Sequence, residues 1–206
     1  MYHRGMFNTD ATTIRRNAEK SADIMAYVIM FAIVTANAPL HAAANAMEWI
    51  RRGNFDRLAY GDITTAERSF MGAAMSSAKL AAVQHVWASR ASIHAQYQKM
   101  DAVSFWNLCI DTIPGLGMVK AAFTVQMLYN ELGCIDTHNL RVLGLDRNTV
   151  TGKSQRKREQ YLKIQGVRTS EEWWDTWCEY VAQRYSARYE NGEQVSRLHV
   201  YAVGLQ

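Results

Sequence analysis

Proline is nearly missing from this chain, with two in 206 residues. Little therefore interrupts a helix by removing a backbone donor or by blocking the turn before it. Alternation of apolar and polar residues at strand period is missing as well, while alanine and methionine are plentiful, so the chain reads as all-α. Cysteine is scarce: Cys109, Cys134 and Cys178 are the only three, widely spaced. That spacing excludes a disulfide framework and points to a reducing compartment. A long apolar run is also lacking. Ala22 to Met47 carries only Asp23 as a charge, but its continuous apolar part, Ile24 to Ala36, falls short of the roughly 20 residues a bilayer core requires. Asn37, Pro39, His41 and Asn45 then break it. The stretch predicts a buried core helix and no membrane segment. No cleavable leader, internal repeat, low-complexity linker or domain boundary stands out.

What is present is a chain that can bury one sizeable core, at 49% hydrophobic residues, with a formal charge of +4 and a pI near 9.0. Such a charge suits an anionic partner. Met1 to Lys20 reads as a loosely held arm. Ala38 to Arg52 predicts a helix and Gly53 to Gly61 a loop. Thr64 to Glu67 has the form of a capping box. Ser69 to Met100 contains no acid but has Lys79, Arg90, Lys99, His85 and His94. Two helices share it, with a junction near Ser76 and Ser77, and it offers either a core-packing pair or a DNA-facing surface. Arg147 to Arg168 is a basic run carrying Arg147, Lys153, Arg156, Lys157, Arg158, Lys163 and Arg168 against the single acid Glu159. It reads as a solvated helix or as a phosphate-contact patch. Thr169 to Glu172 caps a further helix whose Trp173, Trp177, Tyr180 and Val181 form a stripe packed on the first long helix. Trp174 and Tyr185 fall off that stripe and could stack on a base. The apolar positions of the 193–206 tail predict docking at an unspecified place.

The centre of the chain is Leu108 to Leu145, with a short helix at Asp101 to Asp111 leading into it. A helix capped by Asp101 leads into Pro114-Gly115-Leu116-Gly117, a turn with two glycines, and a second helix starts at Met118. Glycine leaves the amides uncovered there, and bare amides at a helix start favour an anion. Ile113 to Ala121, I-P-G-L-G-x-x-x-A, resembles the L-P-G-V-G-x-x-x-A hairpin of the helix-hairpin-helix (HhH-GPD) DNA glycosylase superfamily, the endonuclease III and adenine glycosylase group. Ile135-Asp136-Thr137-His138 with Arg141-Val142 resembles its V-D-T-H-x-x-R-V segment.

The resemblance implies a two-lobed helical fold over residues 1–206, with the helix-hairpin-helix at 101–131 and the terminal helices forming the second lobe. It implies a monomer acting on double-stranded DNA in the cytoplasm, at a nucleoid or in a phage-infected cell. It also implies phosphate binding by Gly115, Leu116, Gly117 and Met118 through the hairpin backbone, with a monovalent Na+ or K+ bridging carbonyls and phosphate and no other metal or cofactor. Asp136 would be the catalytic carboxylate that stabilises the positive sugar and orients water as the glycosidic bond breaks. Its other reading is the N-cap of the helix that begins at Thr137. Three cysteines exclude the family's four-cysteine iron-sulfur loop. Bifunctional members carry a lysine where Val119 stands here. Lys120 is one helical step, about 100°, around the axis. The chain is therefore expected to be monofunctional, with Lys120 a phosphate contact or a fallback nucleophile. His138 is expected to contact the DNA backbone or Asp136, or to face solvent. Phe31 to Leu40 resembles the helix that ends in a wedge residue, which would be Asn37, unless Asn37 simply caps the helix. Two further readings stay open: a phage-type enzyme of the same fold that hypermodifies bases, and a non-catalytic helix-hairpin-helix DNA-binding protein.

Overall fold

The computed structural model describes residues 13–38 and 40–176; among them every regular element is helical. The hub is α2, Ala22–Val34. Ser21 caps it by accepting from the Ile24 amide, and Asp23 lies in its first turn, where a negative charge suits the helix dipole. Nine of its residues, Met25, Ala26 and Val28 to Val34, are buried. That all-round burial is the physical reason Ile24 to Val34 carries no charge. Among the described residues no helix is long and apolar enough to cross a membrane.

α6, Ser77–Tyr97, runs antiparallel to α2, and each end of the pair is tied by a cation. Arg90 Nε donates to Asp23 Oδ1 at 2.7 Å at one end. Lys79 Nζ donates to the Val34 carbonyl at 3.1 Å at the other. Around this pair stand α3 (Leu40–Arg51), α4 (Phe55–Ala59), α5 (Thr65–Met71), a 3-10 turn at Gly72–Met75, and the hairpin helices α7 (Ala102–Thr112) and α8 (Met118–Tyr129). The short α9 (Thr137–Val142), a second 3-10 turn at Arg147–Val150 and α10 (Gln155–Gln165) complete the named elements. One apolar core joins them, from Ile14 to Trp174.

The expected capping box forms: the Glu67 amide donates to Thr64 Oγ1 at 3.2 Å and the Thr64 amide to Glu67 Oε2 at 2.9 Å. The same carboxylate receives a two-pronged Arg57 guanidinium at 2.7 and 2.8 Å and the Trp49 indole N–H at 2.9 Å. These donors, Arg57 first, hold the Glu67 carboxyl well below the ordinary carboxylate range. The helix break expected near Ser76 and Ser77 falls at Ser76, between the 3-10 turn and α6.

Three expectations need correction. Residues 13–20 are helical, here α1, with Ile14 and Ala18 buried; two apolar positions one turn apart dock a polar-looking segment. The loop expected at Gly53 to Gly61 contains α4, because Leu58 is fully buried and its carbonyl accepts from Gln84 of α6 at 2.7 Å. Trp173 packs on Gly133. Trp174 is 9% exposed and stacks on Phe123 with centroids 5.9 Å apart, so it is a core residue. Both tryptophans belong to α11, helical at 170–176, which begins with the expected Thr169 and Glu172 capping box. The expectations for residues 1–12, Cys178, Trp177, Tyr180, Val181, Tyr185 and the tail lie outside the described residues.

A Cβ built on Gly133 would lie 2.3 Å from atoms of the Trp173 side chain. Gly133→Ala is expected to lower unfolding free energy by about 1 to 3 kcal/mol through overpacking, measured by urea denaturation. An unchanged midpoint would show that Trp173 is free to move aside.

Candidate functional site

The hairpin is built as its residues dictate. Ile113 to Leu116 closes a turn, with the Leu116 amide donating to the Ile113 carbonyl at 3.2 Å. Pro114 takes the second position and Gly115 the third, at φ +78°, where only glycine sits without strain: a type II turn. Gly117 is different. Its φ of −96° is open to any residue, and a Cβ there would meet no atom of a described residue within 4 Å. Neither backbone nor packing in this chain calls for glycine at 117. The position leaves open space in front of the N-terminus of α8, whose N-cap has no side-chain acceptor and whose first turn has no acid. The side chains of Leu116 and Met118 are buried, at 0% and 2% exposure, so these two residues can meet a ligand only through the backbone. Trp106 fixes the start of α8 by donating to the Met118 carbonyl at 2.9 Å.

The turn rests on α6: the Gly115 Cβ position is 3.9 Å from Ala82 Cβ. Ala82 is one turn past Lys79, on the same side of that helix. Lys120 lies within electrostatic reach of Lys79 and of Cys134, and its Nζ sits 5.4 Å from the Phe123 ring centroid. Val119 packs against the core. The hairpin, Lys79, Lys120 and the segment leading to Asp136 therefore share one region of the molecule.

Asp136 is partly buried and caps α9. Its Oδ1 accepts the amides of His138 and Asn139, both at 2.9 Å, and Oδ2 takes no hydrogen bond from a described residue. The expected capping role is thus real, and it uses one carboxyl oxygen. His138 is partly buried. Asn37 is exposed at φ +51° just past the end of α2, the left-handed position that favours asparagine or glycine.

Sequence reasoning missed what holds Asp136 in place. Gly133, Cys134 and Ile135 are buried backbone outside any helix, so their polar groups need side-chain partners. Gln165 accepts from the Gly133 amide at 2.7 Å and donates back to the Gly133 carbonyl. The Tyr161 hydroxyl donates to that same carbonyl at 3.0 Å and accepts from the Ile135 amide at 3.0 Å. Gln126 accepts from the Cys134 amide at 3.0 Å, and Asn139 Nδ2 donates to the Cys134 carbonyl at 2.6 Å. Burial raises the Tyr161 hydroxyl well above its ordinary range, which keeps the proton it donates. Burial also pushes the Cys134 thiol up to about 12, so it is no nucleophile beside Asp136. The available signal was Gln126: a lone amide inside the apolar run Ala121 to Leu128 is a buried polar group awaiting partners.

The basic run is largely spent on the fold. Lys153 donates to the Ile110 carbonyl at 2.9 Å, Lys157 to the Asn148 carbonyl at 2.6 Å, Arg158 to Asp111 and Asn107, and Arg168 to Thr176 at 2.8 Å. Arg147, Arg156 and Lys163 remain exposed. Lys79, Arg90 and His94 likewise make internal contacts, the last through the Ala18 carbonyl at 2.9 Å.

Tyr161→Phe removes the acceptor of the Ile135 amide while keeping the ring stacked on Trp106. It is expected to cost about 1 to 3 kcal/mol, the penalty of an unpaired buried donor, read from urea unfolding. Unchanged stability would show that the amide finds another partner. Comparison of the chain with protein-family models, curated proteins and solved structures finds no match in any of the three.

Proposed function

We propose that this chain is a DNA glycosylase-like enzyme of the helix-hairpin-helix kind. Its two-lobed helical body would bind duplex DNA as a monomer through the backbone of Gly115 to Met118 with Lys120. A nucleotide would be swung out of the stack, and its N-glycosidic bond hydrolysed with Asp136. The observation that carries the reading is the pairing of an uncapped, acid-free start of α8 behind Gly117 with a carboxylate one oxygen of which takes no hydrogen bond from the described residues. An anion suits the first, because four amides and the helix dipole point outward there. A sugar that gains positive charge as its base departs suits the second. Asn37, at the exposed end of α2, is the residue this reading assigns to fill the gap left in the duplex. Asp136 would act with water, since Val119 supplies no amine. The exposed Arg147, Arg156 and Lys163 are the remaining candidates for distant phosphates.

Asparagine also caps helices well, so Asp136→Asn retains the fold of α9. On duplexes carrying a panel of damaged or modified bases, wild-type protein followed by alkali is expected to give strand breaks. Asp136→Asn is expected to lower the rate on the order of 100-fold or more while retaining duplex binding. Full activity in that variant would remove Asp136 from the site, and a mass-shifted but intact base would replace hydrolysis with base modification.

Gly117→Ala adds a methyl group to open space at a permissive φ, so thermal stability is expected to stay within about 0.5 kcal/mol of wild type. Duplex retardation is expected to weaken about tenfold or more, as a methyl group displaces one phosphate contact. Equal affinity would take the strand away from the start of α8.

A further inference from the structure

Among the described residues, two of the three non-glycine positions at positive φ stand just upstream of Asp136: Asn130 at +60° and Leu132 at +53°. Asparagine enters the left-handed region at little cost, and Asn130 does so as the C-cap of α8, its amide donating to the Gln126 carbonyl at 3.1 Å. Leucine has no such ease, because its Cβ crowds the backbone there. A conformation of that kind persists only where its surroundings fix it. On one side of Leu132 the C-cap does so. On the other, the amides of Gly133, Cys134 and Ile135 are bonded to Gln165, Gln126 and Tyr161, and the Asp136 amide donates to the Cys134 carbonyl at 3.0 Å. Only Glu131 and Leu132 lie between these fixed ends. Glu131 is exposed, whereas Leu132 is partly buried and packs against the core. Glycine or asparagine would make the same turn without strain, but neither would anchor it in apolar surroundings. The leucine side chain is what ties this part of the chain down.

We propose that Leu132 is a positioning residue for Asp136: its anchored side chain holds the left-handed turn that sets the direction in which the chain leaves α8, and so where the carboxylate comes to rest. The inference rests on the reading that Asp136 acts on a nucleotide held at the hairpin. Leu132 itself touches no substrate. Were its φ to relax to a negative value, the course of the chain would change four residues before Asp136. The clamp could not absorb the change, because its side chains come from α8 and α10 and hold each amide at a fixed distance. The carboxylate would shift instead, and a displacement of about 1 Å at a reacting group can cost about 100-fold in rate. The hairpin is held separately, by its own turn and by Trp106, so duplex binding is separable from the placement of Asp136.

The test compares variants of the full chain by base release from the panel of duplexes, by duplex retardation and by amide hydrogen exchange. Leu132→Val brings a β-branched side chain that positive φ excludes. It is expected to lower base release about 100-fold with retardation unchanged. Exchange of the His138 and Asn139 amides, both held by Asp136 Oδ1, is expected to quicken about tenfold or more, while the Ser104 amide held by Asp101 keeps its wild-type rate. Leu132→Gly accepts the turn but lacks the anchor, so it is expected to fold and to lose about tenfold in release. Leu132→Met keeps an unbranched apolar anchor and is expected to lose no more than about threefold. Wild-type exchange of the His138 and Asn139 amides in both Leu132→Val and Leu132→Gly overturns the proposal. So does a loss in Leu132→Met equal to that in Leu132→Val, and so does quickened exchange at Ser104, which would make the leucine a contributor to stability alone. Absence of base release by the wild-type protein overturns the reading of a base-releasing enzyme, and exchange at His138 and Asn139 then decides by itself whether Leu132 fixes the carboxylate.

Discussion

Three residues of buried backbone without a helix of their own, Gly133 to Ile135, set the terms for the C-terminal half of the molecule. Each peptide N–H or C=O left unpaired there would cost about 1 to 3 kcal/mol, a large part of the net stability of a domain this size. The chain meets the demand with side chains from different helices: Gln126 from α8, Asn139 from α9, and Tyr161 and Gln165 from α10. A hydrogen bond fixes distance and direction where apolar contact fixes neither, so the clamp sets how α8, α9 and α10 stand relative to one another. Gln126 extends it further, donating to the Ser170 carbonyl at 2.7 Å and so tying in the start of α11. Trp173 then closes the assembly by occupying the space a side chain at 133 would need.

The N-terminal half is organised by a different force. α2 has almost no polar surface to direct it, so burial draws it to the centre without choosing an orientation. Orientation comes from its ends, where Asp23 meets Arg90 and the Val34 carbonyl meets Lys79. Exposed ion pairs contribute little energy, but a cation at each end of an apolar cylinder penalises any sliding or reversal. This register has a consequence for the hairpin. Ala82 supports Gly115 because α6 is held with its first turns beside the C-terminal end of α2. The turn therefore inherits its position from contacts made far away in sequence.

Features governed by near neighbours were legible in the sequence. Asp101 and Asp136 cap the helices that follow them, Thr64 with Glu67 and Thr169 with Glu172 form their boxes, and Gly115 takes the positive φ that its turn type demands. Each depends on residues no more than four apart. Features governed by packing were not legible. Ile14 and Ala18 look like scattered apolar residues in a polar arm until α6 supplies a donor, His94, and surface for them. Lys153 and Arg158 look like solvated charge until the end of α7 presents the Ile110 carbonyl and Asp111. Trp174 looks unattached until Phe123 lies flat against it. The clamp is the extreme case, since Tyr161 and Gln165 sit in a helix rich in charge and give no sign of burial.

The clamp also bears on how Asp136 could combine two roles that compete for one carboxylate. As a helix cap it must spend lone pairs on backbone amides, and as a reacting group it must keep one for a sugar or a water. Here the division is by oxygen: Oδ1 takes both amides, and no described residue donates to Oδ2. Two amide bonds to a single oxygen fix the plane of the carboxyl group as well as its position, so the direction of Oδ2 is set before anything binds. Electrostatic stabilisation in enzymes depends on such prior orientation, because a group that must turn during the reaction loses much of what its charge contributes. The loop before the aspartate is then as consequential as the aspartate itself. A slack backbone at Gly133 to Ile135 would let the cap and its free oxygen move together. Capping and the proposed chemistry are compatible in this chain because buried amides and one tyrosine hold the polypeptide on which both depend.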